Sequence, residues 1–518
     1  ATAQTDSPSE DAATEDAATE DAATDGTAAT QDAVVSEGAS DADRALSVQS
    51  AEAATGLDAS SEGTAYAAGE VLVAFEEGTT AAKATQVVES TNTVATKEVS
   101  NDDLVASSVS DGTLVSDTGG AAIAKVDVAE GATVVEAVAE VEQQEGVAYA
   151  QPNYVYTICD ESAYTGDVAG ESADTGDTVG EDGATGTAAA KQAGAVEELE
   201  TFSNTLTEQS TTIDDPYASQ QWQLAASSSY GVGCYTAWDY ARCNGAVSVA
   251  VIDTGCNVDH EDLDDNIVGA YNAVSKSTDV TDAAGHGTHV AGIVAAETNN
   301  GVGVSGVSYN ANIVPIKAVR SDGMFYSDGL VASYAYLLGD ASSDIDGDGA
   351  IETVAQEYNV RVVNMSIGGE GDCSGDDALL QKVDAASTAG ILTVCAAGNS
   401  GTNLSVPYAE YPGDYATCVS VINITSSGTR FTSSNYNVAG VIEGNFGKNI
   451  SAPGTRICST LTSGGYGYMG GTSMASPMVA GVAALVFSAD ETLTPAECKQ
   501  ILYDTAADLG DAGWDREY

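Results

Sequence analysis

The chain is poor in basic residues. Lys and Arg total 16 against 78 Asp and Glu in 518 residues, and the formal net charge is −62. Phosphate recognition needs clustered Lys and Arg, so we expect no nucleic-acid partner. The negative charge instead favours solubility and disfavours adsorption to anionic surfaces.

Long apolar runs are also missing. No run approaches the length needed to cross a bilayer, so we expect no membrane span in this chain. The first residues, 1–4, are polar, which we interpret as the result of removing a secretory signal. The expected location is therefore secreted, extracellular or at the cell surface.

The nine cysteines contain no Cys-x-x-Cys pair of the metal or redox type. All except Cys159 lie in the C-terminal part, which leaves eight there. An even number of cysteines in a secreted protein suggests disulfides. Cys234 and Cys243 are close enough in sequence to close a small loop, and Cys395 and Cys418 lie on consecutive apolar runs. Buried free thiols are the alternative for the others.

The most informative stretch of the C-terminal part is 471–477, where small residues are followed by an apolar run at helical spacing. This pattern places Ser473 in the first turn of a buried helix, where free N–H groups and the helix dipole favour developing negative charge. Ser473 is either a helix N-cap or a nucleophile. The nucleophile requires a histidine and a buried carboxylate.

The sequence supplies both partners. Only three histidines occur, and His286 lies with His289 in a motif that precedes a small-residue helix. Asp253 ends an apolar run typical of a buried parallel strand, and so faces the crevice where open α/β sheets place their sites. The order Asp253, His286, Ser473 is that of subtilisin, whereas an α/β-hydrolase requires Ser, Asp, His.

Five motifs together resemble those of subtilases, the subtilisin-like serine endopeptidases. They are VIDTG at 251–255, HGTHVAG at 286–292, NMSIGG at 364–369, AAGN at 396–399 and GTSMASP at 471–477. The resemblance runs from Asp214 to the end. It implies a three-layer α/β catalytic domain with a mainly parallel sheet, and the apolar runs at 313–319, 360–365, 391–396 and 418–422 fit its strands.

The resemblance also implies residue roles. Asp253, His286 and Ser473 form the triad, and Asn399 stabilises the oxyanion. His289 matches a second, non-catalytic histidine, and His260 is expected to be structural in an exposed acidic loop. The residues that would line the substrate strand and the first specificity pocket are Ser366, Ile367, Gly368, Ala396, Ala397 and Gly398.

Glu410 stands where many subtilases have a small residue at the base of that pocket. A carboxylate there predicts a preference for Lys or Arg before the scissile bond. The single basic residue between 157 and 213, Lys191, would then be a secondary processing site. Alternatively, Glu410 points to solvent or pairs with a cation such as Arg430.

Calcium is the expected cofactor, and no organic cofactor is expected. Asp262 and Asn300 match a subtilase calcium site. Separately, Asp344, Asp346 and Asp348 follow EF-hand spacing through the central glycine, but Ala355 replaces the bidentate glutamate. A plain acidic turn is the alternative for this loop.

The N-terminal half divides by composition. Residues 1–68 carry an acidic five-residue repeat and are expected to be disordered, as is the acidic linker at 157–213. Between them, 69–156 has a βαββαβ pattern typical of a small ferredoxin-like α+β domain. Its two ends resemble a subtilase inhibitory propeptide, and an unrelated accessory domain is the alternative. The catalytic domain would occupy 214–518.

The sequence therefore predicts a secreted serine endopeptidase made as a zymogen. We expect polypeptide substrates, the chain's own propeptide as an intramolecular inhibitor, and a monomer. The chain stops short of the usual end of the family, so we expect a longer parent protein. The rival hypothesis is a silent binding domain on the same scaffold, which has no need for Asp253, His286, Ser473 and Asn399 together.

Overall fold

Apolar runs in the N-terminal part form an antiparallel sheet. The computed structural model describes residues 57–59, 65–100, 103–105, 107–110, 113–116, 121–159, 166–167, 211–225, 230–339, 353–369, 373–401, 410–437 and 450–510. The first elements in chain order are β1 (Leu57–Ala59), β2 (Ala65–Phe75), α1 (Ala81–Ser90), β3 (Leu104–Val105), β4 (Ser107–Ser110), β5 (Thr113–Ser116), β6 (Ala122–Asp127), α2 (Val134–Val141) and β7 (Val147–Ile158).

Strand β2 is the centre of this sheet and pairs antiparallel with both β6 and β7. Val71, Val73 and Phe75 share one core with α1 and α2, while Leu72 and Ala74 pack with residues of the C-terminal part. The strand thus buries both faces. The predicted βαββαβ order is confirmed, with the hairpin β4–β5 added between β3 and β6.

Ordered structure extends into two ranges that were expected to be disordered. The prediction for 1–68 is wrong at β1 and at the start of β2, which pair with each other. The prediction for 157–213 is wrong at Thr157, where β7 continues, and at Gly166–Asp167, which pair with residues 467–468. In both ranges main-chain pairing with a neighbouring strand orders the chain, and Tyr66 is in addition buried in the core. The five-residue repeat lies outside the described residues.

Alternating strands and helices make up the C-terminal part. Its elements are β8 (Gly166–Asp167), α3 (Cys234–Ala237), β9 (Ser248–Asp253), β10 (Tyr271–Asn272), α4 (His286–Ala295), β11 (Asn312–Lys317), β12 (Phe325–Tyr326), α5 (Ser327–Leu338), α6 (Val354–Glu357), β13 (Val360–Met365), β14 (Ile367–Gly368), α7 (Asp377–Thr388), β15 (Leu392–Ala396), β16 (Val419–Ile424), β17 (Ile450–Pro453), β18 (Ile457–Thr460), β19 (Tyr466–Met469), α8 (Thr472–Ala489) and α9 (Pro495–Thr505).

The main sheet has the order β10-β11-β9-β13-β15-β16-β17, and all its pairings are parallel. Strand β9 shows why residues 249–252 are all apolar. Val249 and Val251 face a core shared with α4 and α8, and Ala250 and Ile252 face the core of α5 and α7. The three-layer α/β prediction is confirmed. Helix α9 begins with a capping box, in which the Thr494 side chain accepts from Glu497 N.

The cysteines differ from the sequence prediction. All nine cysteines are buried free thiols, so the suggested pairs Cys234–Cys243 and Cys395–Cys418 are not formed. Burial raises the pKa of the Cys243 thiol to about 12, which keeps it neutral.

By length and composition α8 could cross a membrane, but 78% of it is buried inside the fold, where it packs on the central sheet.

Candidate active site

A carboxylate and an imidazole meet at the carboxyl end of the central strand. Asp253 is the last residue of β9 and His286 the first of α4, and Asp253 Oδ1 lies 2.7 Å from His286 Nδ1. Both are buried, at 0% and 2% exposure. The next residue must be Gly287, since a Cβ there would lie 2.1 Å from the Gly255 carbonyl oxygen.

Asp282 fixes the start of α4, a role the sequence analysis missed. Its Oδ1 accepts from Thr254 Oγ1 at 2.9 Å and from Gly285 N at 2.8 Å, and its Oδ2 accepts from Thr288 N. The Asp282 carboxylate therefore ties the helix start to the end of β9. The sequence signal for this role was an acidic residue three positions before Gly285, because side chains that accept hydrogen bonds are favoured at the starts of helices.

Ser473 and Asn399 converge on one carbonyl group. Ser473 N donates to Cys159 O at 3.1 Å, and Asn399 Nδ2 donates to the same oxygen. Asn399 Oδ1 accepts from Thr472 N at 3.1 Å, which fixes the amide orientation. Ser473 Oγ donates to Ser366 O at 2.9 Å. The first turn of α8 and the loop after β15 thus form a two-donor site for a carbonyl oxygen.

The occupant of this site is the end of β7, from the N-terminal part of the same chain. Cys159 N donates to Ser366 O at 3.2 Å. Ile158 and Thr157 pair antiparallel with Ile367 and Gly368 of β14. On its other side β7 pairs with β12. The residues predicted to line the substrate strand therefore contact an extended segment in the manner of a bound peptide.

Glu410 lies beside the Cys159 side chain. Its Oε1 is 3.9 Å from Cys159 Sγ, its Oε2 accepts from Asn435 Nδ2 at 3.1 Å, and the residue is 3% exposed. A Cβ at Gly368 or Gly398 would lie 2.2 or 2.5 Å from the Glu410 carboxylate oxygens, so both positions require glycine. The solvent-facing alternative is thus excluded.

Arg430, Ala396 and Ala397 contact main-chain groups near Glu410. The Arg430 guanidinium donates to the carbonyl groups of Phe431 and Ser434. Ala396 ends β15, and Ala397 N donates to Val421 O on the neighbouring strand. These two alanines carry the chain to Gly398 at the pocket wall.

The two other histidines are structural. His289 is buried, its Nε2 is 3.2 Å from Gly467 O, and burial lowers its pKa to about 3, so it stays neutral. His260 was expected in an exposed loop, but it is buried, with Nε2 3.1 Å from Gly465 O. Burial lowers its pKa as well. Neither histidine is the one beside Asp253.

The Asp262 carboxylate is already occupied by N–H donors. Its Oδ1 accepts from Asn300 Nδ2 at 3.0 Å and its Oδ2 from Val304 N at 2.9 Å. Asn300 Oδ1 is turned away to accept from Val302 N at 2.8 Å. Since calcium needs oxygen ligands, this pair as arranged does not fit the ion. Burial raises the pKa of Asp262 to about 8.

Calcium stays a prediction, because the second candidate set (Asp344, Asp346 and Asp348) lies outside the described residues. We expect excess calcium to raise the melting temperature by a few degrees over EGTA, as a native-state ligand stabilises by mass action. If Asp344→Asn abolishes the rise in melting temperature, calcium binds the loop that carries Asp344. If Asp262→Asn abolishes it, calcium binds at Asp262 and Asn300. Identical wild-type melting curves would contradict both.

Two family models match the chain. The first, described as the subtilase family, matches residues 244–518. The second, described as the fervidolysin N-terminal prodomain, matches residues 52–153. The first match includes Asp253, His286, Asn399 and Ser473, and the second includes most of β7.

Individual relatives agree with these matches. An extracellular protease of Xanthomonas campestris pv. campestris is 35% identical over 58% of this chain and 53% of its own length. Subtilisin DY of Bacillus licheniformis is 39% identical over 51% of this chain and 85% of its own length. The chain spans about half the length of the two extracellular protease relatives it matches.

A solved structure shows the same fold. Fervidolysin from Fervidobacterium pennivorans, described as a keratinolytic enzyme related to subtilisin, aligns with a TM-score of 0.60. The alignment covers 87% of this chain and 59% of that chain at 22% identity. It therefore includes both the antiparallel N-terminal sheet and the parallel C-terminal sheet.

Proposed function

The chain belongs to the subtilase family, and from this premise we propose that it is a secreted serine endopeptidase made as a zymogen. It hydrolyses peptide bonds through an acyl-enzyme on Ser473. The observation that carries the proposal is the convergence of Ser473 N and Asn399 Nδ2 on one carbonyl oxygen, next to the buried Asp253–His286 pair. Export is supported by the relatives named as extracellular proteases.

The geometry supports a distinct role for each residue. Ser473 Oγ attacks the carbonyl carbon after turning from Ser366 O toward His286, which accepts its proton at Nε2. Asp253 holds Nδ1 of His286 protonated and stabilises the imidazolium. Negative charge then develops on the carbonyl oxygen, where Ser473 N and Asn399 Nδ2 already point. His286 returns the proton to the leaving amine.

Asn399→Ala tests the oxyanion role. The side chain donates to the oxygen that becomes negatively charged, so its loss should lower kcat by about 10²–10³-fold, or about 2.7–4 kcal/mol, with KM little changed. Steady-state hydrolysis of a chromogenic peptide measures both constants. Asn312→Ala is the matched control, because its amide donates to Gly245 O at the opposite end of the sheet. A kcat within threefold of wild type would contradict the role.

The N-terminal domain is proposed to inhibit the enzyme, because β7 fills the cleft. A four-charge cluster joins the two parts: Lys125 Nζ is 3.1 Å from Asp328 Oδ2, and Arg320 Nη2 is 3.0 Å from Glu70 Oε2 and 2.7 Å from Asp328 Oδ2. Burial alone would raise the pKa of Asp328, but Lys125 and Arg320 hold it below its usual value. The attraction is therefore complete above about pH 4 and is lost as pH falls through the lowered pKa.

Lys125→Met is expected to weaken inhibition by the separate domain. Residues 57–159 added in trans should inhibit the mature enzyme, and the substitution should raise the inhibition constant at least tenfold, because Asp328 loses a half-buried partner. Lys97→Met is the control, since Lys97 Nζ donates to Val94 O within the same domain. No inhibition by the unmodified domain at micromolar excess would refute the inhibitor role.

A further inference from the structure

The position of Cys159 has a consequence for how the chain is processed. Its carbonyl oxygen receives both donors of the oxyanion site, from Ser473 N and Asn399 Nδ2. Its carbonyl carbon, bonded in the sequence to Asp160 N, is therefore the atom placed for attack. The residue before the scissile bond in a peptidase occupies this place.

The chain is held on both sides of this bond. Before it, residues 155–158 pair with β12 and β14. After it, Gly166 and Asp167 of β8 pair antiparallel with Tyr468 and Gly467 of β19. Strand β19 ends at Met469, close before Ser473. Described residues on both sides of this bond therefore pair with strands of the C-terminal part.

We propose that Cys159–Asp160 is the bond that the protease cuts first in its own chain, selected through the side chains of Tyr156 and Cys159. The proposal rests on the serine endopeptidase function proposed above and adds the processing site and its determinants. It concerns the first cut, whereas Lys191 was predicted as a secondary site and lies outside the described residues.

Tyr156 enters a closed pocket with a carboxylate at its base. The side chain is fully buried, and its hydroxyl donates to Asp376 Oδ2 at 2.6 Å. Asp376 is also buried and caps α7 by accepting from Leu379 N, while Ser327 Oγ donates to the same Oδ2. A hydrogen bond to a buried charged group discriminates strongly against a side chain that lacks the donor. Asp376 thus selects tyrosine at this position.

Cys159 enters a short pocket that Glu410 closes. The Oε1 atom is 3.9 Å from Sγ, so a side chain longer than cysteine meets the carboxylate. Asn435 Nδ2 and the glycine walls at 368 and 398 hold the carboxylate in place. A small side chain with a hydrogen-bond donor, such as cysteine or serine, therefore fits, whereas lysine or phenylalanine requires Glu410 to move.

The reaction is an ordinary hydrolysis. Ser473 Oγ bonds to the Cys159 carbonyl carbon, its proton passes through His286 to Asp160 N, and the C–N bond breaks. Water then attacks the ester carbon and gives a proton to His286, the bond between this carbon and Ser473 Oγ breaks, and His286 returns the proton to Ser473 Oγ. Cys159 is left with a free carboxylate. After this cut the catalytic part begins at Asp160.

The first test follows the full chain during maturation. Intact mass and N-terminal sequencing at early times should give one fragment ending at Cys159 and another beginning Asp160-Glu161-Ser162, and neither should form in Ser473→Ala. First cleavage at another bond, including the one after Lys191, would overturn the proposal.

The second test uses peptides of residues 153–163, which removes any dependence on folding of a variant precursor. The mature enzyme should cleave the native and Cys159→Ser peptides with kcat/KM within threefold of each other. The Cys159→Lys, Cys159→Phe and Tyr156→Phe peptides should be at least tenfold slower. Glu410→Gly should raise the rate for the Cys159→Phe peptide. Faster cleavage of the Lys or Phe peptide by the wild type would contradict the pocket assignment.

Labelling separates this proposal from the function it rests on. An enzyme that reacts with a fluorophosphonate and digests casein, but leaves Cys159–Asp160 intact, would overturn the processing site alone. An enzyme that neither reacts with a fluorophosphonate nor digests casein would overturn the peptidase function and the processing site together.

Discussion

Ser473→Ala is expected to abolish peptide hydrolysis and to leave the chain at full length. In the proposed mechanism the Ser473 hydroxyl is the attacking group, and the N–H of the same residue donates to the Cys159 carbonyl oxygen. Loss of the nucleophile in an enzyme of this kind lowers kcat by roughly 10⁶-fold. Hydrolysis of a chromogenic peptide and electrophoresis of the precursor measure the two effects.

Ser488→Ala provides the matched control for this substitution. Ser488 lies on the same helix, and its hydroxyl donates to Leu485 O one turn back. This variant should mature and hydrolyse peptide at the wild-type rate. Normal unaided maturation of Ser473→Ala would require a cleavage mechanism that does not use this serine.

Asp253→Asn is expected to lower kcat by about 10⁴-fold while the protein remains folded. The carboxylate accepts from His286 Nδ1 at 2.7 Å. An amide at this position can donate to Nδ1 instead, which leaves the proton on Nε2, where His286 can no longer accept from Ser473. Steady-state kinetics on the same peptide, with circular dichroism to verify folding, measure the outcome.

Asp279→Asn is the control for the loss of one charge. Asp279 is exposed, and its carboxylate accepts from Thr281 at the surface. This variant should retain the wild-type kcat. A kcat of Asp253→Asn within tenfold of wild type would show that His286 does not depend on this carboxylate.

The sequence predicted the sheets well because their strands bury both faces. A run such as 249–252 is uniformly apolar, and β9 packs against helices on each side. Asp253, His286, Asn399 and Ser473 were predicted as a set because each lies in a short motif at the end of a strand or the start of a helix. The structure brings them together at one edge of the sheet, and their catalytic roles stay proposals.

The sequence could not predict contacts between distant segments. Cys159 was treated as an isolated cysteine at the start of a linker, yet its carbonyl group lies against Ser473 and Asn399. Asp376 has no motif around it, and its contact with Tyr156 crosses 220 residues. Such pairings depend on how the N-terminal sheet docks, and no local pattern encodes that docking.

Glu410 shows a second limit of sequence reasoning. Its departure from a small residue indicated a specificity role, but the preference depends on how deep the pocket is. The charge of the carboxylate suggested a preference for Lys or Arg, whereas the structure places the carboxylate 3.9 Å from a cysteine sulfur and in a hydrogen bond with Asn435. Pocket depth is a property of the packed structure.

Reaction with a fluorophosphonate, followed by peptide mapping, is the most direct test that this chain is a serine peptidase acting through Ser473. The processed enzyme should be labelled on Ser473 alone, with loss of hydrolysis in proportion to labelling, and Ser473→Ala should take up no label. Labelling at another residue, or full hydrolysis by an enzyme that takes up no label, would contradict it.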